Sequence, residues 1–469
     1  MALKHEPLAT VVDRDLEEAL KTVLHPAQLA MVEDIAVLLD RLDRCQEPLQ
    51  LYNFQVTLFH QMYRAQETRA SFNRALKRVA SGKSPSRAES NWPTVCAADS
   101  AVPEEWKLEQ RVAERAVRQL RTVGDALAWK VYRYDRRGII ALAQNDASGP
   151  FIGKAGLGHE LGAVQQRFKD RGHFSLLHDL TNVLRIGDLT ECHANGYLEL
   201  DEVKASDTPS SRTERAKQVR RAQAAIDSIA GTVPLLAMPE AKDEDASQHI
   251  WASSVTYRSD SNQLENLARR AHEGPGWDVR SVGQGRVLAI MDLHRAAQNE
   301  DAEGTFAAYE RRRAQVLNRV GTERVHLLRG SSADTASRAT SIAPFSIFPI
   351  PADLRARLIC DQVVAEMFIP VERVAAALTR AGCRVEVLLP SESTKLDAGH
   401  DVLAAWCGSK RLLMHGPCVG QLLLEVMDLS RWGRACRELI DAADPAPNSV
   451  LVLADEGTYW SRGLTALPA

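Results

Sequence analysis

The stretch LRIGDLTECHANGYLELDEVKAS, residues 184–206, constrains this chain more than any other. It reads as two strands joined by a tight turn, yet it carries acids where strands place apolar side chains. Taking Ala194-Asn195-Gly196 as a three-residue hairpin loop, with glycine in the left-handed position, pairs His193 with Tyr197 and Cys192 with Leu198. Asp188 then falls opposite Glu202. A two-residue Asn-Gly turn would instead set Asp188 against Val203, so the pairing depends on the turn type. Glu202 and Lys204 share a face in either register, because strand side chains alternate with period two.

Two carboxylates facing each other on a half-buried sheet repel, and the arrangement costs stability unless a cation lies between them. A hard divalent cation suits it, taking two carboxylate oxygens, a nearby backbone carbonyl and waters. Lys204 would lie one pleat along, within reach of a metal-bound water or a substrate phosphate, and Glu160 on the preceding helix would complete the site from the side.

At 469 residues the chain is expected to form two or three domains. It has 45% hydrophobic and 25% charged residues, the balance of a soluble globular protein. No run of about 18 apolar residues appears, so a membrane span is not expected. The N-terminus lacks the apolar core of a secretion signal. Eight cysteines without a CxxC pair point to reduced thiols in a cytoplasmic protein. A net charge of -3 neither demands nor forbids a polyanion partner.

Residues 1–100 read as a helical N-terminal region, with apolar spacing at Leu29, Val32, Ile35, Leu38, Leu39 and Leu42. A Ser/Pro/Ala-rich loop precedes a long helix from Glu104 that buries Trp106, Val112, Ala116 and Leu120. Residues 101–238 form a compact α/β unit in the order helix, strand, strand, helix, strand. Residues 239–469 alternate further strands and helices, as a C-terminal α/β region. There, RVLAIMDL, RVHLLRG, APFSIFPI, CRVEVLLP and NSVLVLAD read as strands. LRARLICDQVVAEMF, VERVAAALTRAG and GQLLLEVMDLSRWGRACRELIDAA read as helices.

Asp188, followed after thirteen residues by Glu202-Val203-Lys204, resembles the signature of the PD-(D/E)XK nuclease superfamily. The resemblance covers residues 156–229 and includes the upstream Glu160 and, on the following helix, Gln218 and Arg221. It departs at Gly187, where the family's name has proline. The resemblance implies a restriction-endonuclease-like core, a mixed sheet flanked by helices. It implies that Glu160, Asp188, Glu202 and the Val203 carbonyl hold Mg2+ or Mn2+ and that Lys204 serves the attacking water. DNA is the substrate by family habit, with RNA left open because the metal chemistry is the same. Cores of this kind recur in bacterial anti-phage defence, and the long flanking regions suit a regulatory or specificity role. The expected partners are a second copy of the chain or a defence-system protein. The alternative is a non-catalytic nucleic-acid-binding or scaffolding protein with the same fold.

Other motifs are weaker. GPFIGKAGLG is no phosphate loop: three residues, not four, separate Gly149 from Gly153, and Ala155 has no hydroxyl. Lys154 in that loop is instead expected to contact a substrate phosphate. In RTERAKQVRR, Arg220 and Arg221 beside Gln218 are the chosen phosphate contacts. His173, His178 and His193 flank the strands without a Ser or Cys nucleophile motif. His178 reads as structural and His193 as surface.

Overall fold

The computed structural model describes residues 20–83, 103–143, 152, 154, 156–203, 223, 237–239, 247–252, 255, 259–320, 327–332, 343–388, 401–415, 422–442 and 450–454. Two helices open it, α1 (Pro26–Arg44) and α2 (Pro48–Ala80). Each begins on a proline, whose fixed φ suits a first turn and whose missing N–H would have no partner there. Ile35, Leu38, Leu39 and Leu42 of α1 and Phe54, Leu58 and Met62 of α2 are buried at helical spacing. α2 packs along α3 (Pro103–Val131), which buries Trp106, Val112, Ala116 and Leu120 as their period predicts. α4 (Arg136–Leu142) and α5 (Leu157–Arg171) follow.

A three-stranded antiparallel sheet comes next, β1 (Phe174–Leu177), β2 (Leu189–Cys192) and β3 (Leu198–Asp201), with β2 in the centre. The hairpin register is that of the three-residue loop. Cys192 pairs with Leu198 and Leu189 with Asp201, His193 N–H donates to the Tyr197 carbonyl (2.9 Å), and Gly196 has φ +79°. Both edges are covered by glutamine side chains. Gln55 of α2 accepts from Leu177 N–H and donates to the Ser175 carbonyl, both at 2.9 Å. On β3, Gln223 accepts from Leu200 N–H (2.8 Å) and donates to the Leu198 carbonyl (3.0 Å). These amides occupy the ladder groups that an exposed edge would offer to another strand.

Beyond this sheet lie β4 (Ala237–Pro239) and β5 (Ser247–Ala252), joined into a mixed sheet by β13 (Val450–Ala454), which runs parallel to β5. A four-stranded antiparallel sheet follows, in the order β6-β7-β9-β8: β6 (Trp277–Ser281), β7 (Val287–Asp292), β8 (Leu327–Ser331) and β9 (Val363–Pro370). Helices α6 (Ser261–Glu273), α7 (Leu293–Ala297), α8 (Ala302–Arg319) and α9 (Ala352–Ile359) surround it. The last unit joins β10 (Arg384–Val387), β11 (Asp401–Cys407) and β12 (Lys410–His415) to α10 (Val371–Arg380) and α11 (Leu429–Ala442). The chain is thus an α/β protein. Among the described residues no helix is long and apolar enough to cross a membrane.

Three expectations are corrected. LRARLICDQVVAEMF is not one helix: it breaks at Asp361, which has φ +52°, and continues as β9. APFSIFPI forms a buried 3-10 turn at Phe345–Ile347 rather than a strand, hemmed in by Pro344, Pro349 and Pro351. α11 begins only at Leu429, after a turn in which Val426 has φ +51°. One buried cluster includes Met31, Leu177, Leu184 and Ile440. At its centre Arg136 meets Glu425 through two hydrogen bonds, 2.8 and 2.9 Å, with both side chains fully buried.

Candidate functional site

Asp188 sits one residue before β2, and extending the β2–β3 register by that residue sets it opposite Glu202. Its N–H donates to the Asp201 carbonyl (2.9 Å) and its carbonyl accepts from His178 N–H (3.0 Å), so its backbone is held on both sides. Gly187 before it has φ +74°, and a Cβ there would lie 3.1 Å from the Asp201 carbonyl oxygen. This backbone requirement falls where the family name has proline. Proline's ring locks φ near -65°, so it could not adopt this turn.

The turn is fastened from below. His178 is buried; its Nδ1 lies 3.1 Å from the Gly187 carbonyl, and its Nε2 lies 2.7 Å from the Thr190 hydroxyl. A carbonyl can only accept, so Nδ1 carries the proton and Nε2 accepts from Thr190. The Thr190 oxygen in turn receives Tyr132 O–H at 2.8 Å. Burial lowers the His178 pKa to about 4, which keeps the ring neutral in this role. Helix α3 reaches the same place at Gly124, where a Cβ would stand 1.8 Å from the Leu180 carbonyl oxygen. No side chain fits between helix and turn.

Around Asp188 the structure gathers three carboxylates on one ammonium. Lys154 Nζ lies 2.8 Å from Glu160 Oε1, 2.9 Å from Asp179 Oδ2 and 3.5 Å from Asp188 Oδ1. Glu160 comes from the first turn of α5 and is buried, and Asp179 comes from the 3-10 turn His178–Leu180 after β1. The remaining oxygen of Asp188, Oδ2, accepts Val203 N–H at 2.9 Å. The described contact of Val203 is thus made through its amide. Three negative groups face one positive group. Burial raises the Asp188 pKa, with Lys154 opposing and Asp179 adding to the rise. The Glu160 pKa also goes up, through burial first and the charge of Asp188 besides. Burial alone would lower the Lys154 pKa, but its bonds to Glu160 and Asp179 carry it well above the ordinary lysine range.

The ammonium of Lys154 stands where the sequence reading puts a metal cation, so the expected phosphate contact is here an ion-cluster partner. The carboxylates surround the ammonium rather than one another. One buried oxygen, Glu160 Oε2, has no hydrogen-bond partner among the described residues. A buried acceptor left unpaired is costly, and a divalent ion would satisfy it. The donor set, all carboxylate oxygen, is of the type Mg2+ or Mn2+ takes, but the three carboxylates surround the ammonium without all lying within 4.8 Å of one another, so one ion would have to draw them closer.

Of the expected site residues, Glu160, Asp188 and Lys154 are brought together; Glu202 and Val203 follow just after the end of β3, with Val203 N–H tied to Asp188 and the Glu202 carboxylate not among the groups around Lys154. Lys204, Gln218, Arg220 and Arg221 lie outside the described residues. Asp179 was missed, because the strand that delivers it, FSLL, is buried at all four positions and shows no alternation. No family model matches this chain, and no curated protein and no solved structure matches it either.

Proposed function

We propose that the chain is a metal-dependent nuclease of the PD-(D/E)XK type that hydrolyses phosphodiester bonds in DNA. The carrying observation is the convergence of Glu160, Asp179 and Asp188 on one cation position, on a hairpin whose register sets Asp188 against Glu202. A divalent ion bound by these carboxylates would polarise the phosphoryl group and lower the pKa of a bound water. The chain's own residues do the rest. The His178–Thr190–Tyr132 chain and Gly187 fix where the Asp188 carboxylate points. Glu160 anchors the far side of the site from α5. Lys154, one-third exposed, would be displaced from the carboxylates by such an ion and would then be free to contact the scissile phosphate. Lys204 orients the attacking water, and Gln218, Arg220 and Arg221 grip the backbone of the nucleic acid. The large C-terminal α/β region sets when or where cutting occurs, as suits a defence nuclease.

A second reading has one observation in its favour: Lys154 already fills the carboxylate cluster, as it would in a non-catalytic binding protein. Cleavage of plasmid and linear DNA with Mg2+, Mn2+ or EDTA decides between them. Metal-dependent cutting that vanishes in Lys204→Ala and in Asp188→Asn is expected. Well-folded protein that neither cuts nor binds Mn2+ in a titration would sink the nuclease reading.

A further inference from the structure

The sheet carries a second constellation, at the opposite end of α5 from Glu160. Glu160 and Arg171 are eleven residues apart on that helix, about 16 Å along its axis. The β1–β2 register pairs Phe174 with Cys192, and one step beyond it His173 faces His193. Glu191 precedes His193 by two residues and so shares its face, and Glu199 lies directly across from Glu191 on β3. Among the described residues, His173, Glu191 and His193 are the one set of three His, Cys, Asp or Glu side chains whose donor atoms all lie within 4.8 Å of one another.

The details suit a transition metal. His173 Nδ1 is 2.8 Å from Glu191 Oε1, and His193 Nε2 is 2.9 Å from Glu199 Oε2. The two imidazoles stand 5.0 Å apart at 65°, edge to face. Glu191 is buried and its carboxylate is oriented from outside: Arg167 Nη1 lies 3.4 Å from Oε2 and Arg171 Nη1 3.3 Å from Oε1. Arg167 also grips Asp201, which fixes it, whereas Arg171 is mostly exposed and can swing off Oε1. An outer group that pins one oxygen of a ligating carboxylate is what metal sites use to aim the other.

We propose that His173, Glu191 and His193 bind Zn2+, with Glu199 or water as fourth ligand. Two imidazoles and a carboxylate suit this borderline ion, in contrast to the all-oxygen set around Lys154. The bound ion ties β1 and β2 together at the end remote from Asp188. This site stands independently of the nuclease reading.

The test is a titration of tag-free, chelator-treated full-length chain with Co2+, watched in the visible region. One equivalent should give a d–d band that Zn2+ removes and excess Mg2+ does not. The band should persist in Asp188→Asn and disappear in His173→Gln/His193→Gln. Should that double variant fail to fold, His193→Gln alone, at a half-buried position, should weaken Zn2+ binding at least about tenfold. No band in the parent chain, or one unchanged in the folded histidine variants, overturns the site. Cleavage activity is not part of the readout, so this proposal and the nuclease reading fail separately.

Discussion

Glu366 on β9 and Glu160 on α5 are both buried carboxylates beside a cationic side chain, yet their acidities move in opposite directions. Glu366 receives Tyr309 O–H at 2.6 Å, Arg313 at 2.7 Å and Arg329 besides. Burial would raise its pKa, but Tyr309 and the two arginines outweigh burial and bring it down. Glu160 has one ammonium, shares it with two more acids, and keeps an oxygen without a partner; its pKa goes up. The cluster around Glu366 is closed, with a partner for each lone charge. The one around Glu160 is left open, with surplus negative charge and an unfilled acceptor. Closed clusters hold a fold together, and open ones store a demand for a cation.

The strongest way to break this contrast is at the most closed pair of all. Arg136 and Glu425 are fully buried, doubly bonded to each other, and Arg136 also lies 5.4 Å over the Trp129 ring. Arg136→Met keeps much of the volume but removes both guanidinium bonds from the buried Glu425 carboxylate, which also accepts Ala343 N–H at 2.7 Å. The expected loss is about 3–5 kcal/mol, read from the urea midpoint at constant m-value. A loss below about 0.5 kcal/mol, the size of an ordinary surface change, would mean that closure is not what these pairs contribute.

A middle case sharpens the comparison. Asp125 of α3 is buried beneath the site and accepts from Asn182 N–H (2.6 Å), Asn182 Nδ2 (2.8 Å) and Val183 N–H (3.2 Å). Burial outweighs these hydrogen bonds and the nearby charge of Arg121, and the pKa rises to about 6. The folded state then holds a proton that the unfolded state has already lost, above an ordinary value of 3.8. Stability contributed by this group is therefore present below pH 3.8 and lost as pH rises through about 6. Across that window the parent chain should lose about 3 kcal/mol relative to Asp125→Asn. Parallel pH profiles for the two proteins would refute the assignment.

How much of this was legible beforehand follows the same physics. The hairpin itself could be read from the Asn195-Gly196 turn, but its register could not: a left-handed Gly196 serves a three-residue loop or a two-residue turn alike, and the fold takes the first, which sets Asp188 against Glu202. Helices α1 to α3 were legible from their apolar spacing. β1 and β9 were not: both are buried along almost their whole length, so FSLL and VVAEMFIP show no clean alternation of apolar and polar residues. That loss hid Asp179, which rides on the end of β1. Lys154 was noticed as a cation near the site, but only the fold could show that it points into the acids. The role of Gln223 was equally hidden, since nothing in a polar stretch of sequence marks one amide as the cover of a strand edge.

The smallest expected effect is the most diagnostic of the open cluster. Glu160→Gln keeps an acceptor oxygen for Lys154 and removes one of three like charges, so the protein should be more stable by roughly 0.5 kcal/mol, the size of one relieved like-charge contact. Removing an acid from the closed cluster, as in Glu366→Gln, should do the opposite, because Arg313 and Arg329 would lose their common partner. Melting curves with and without Mg2+ separate this from a general surface effect. Ligand that binds only the folded state raises its melting temperature by mass action, so Mg2+ should stabilise the parent more than Glu160→Gln. If Mg2+ moved both proteins equally, the surplus charge around Lys154 would be indifferent to cations and the distinction between open and closed clusters would fail at the site where it matters most.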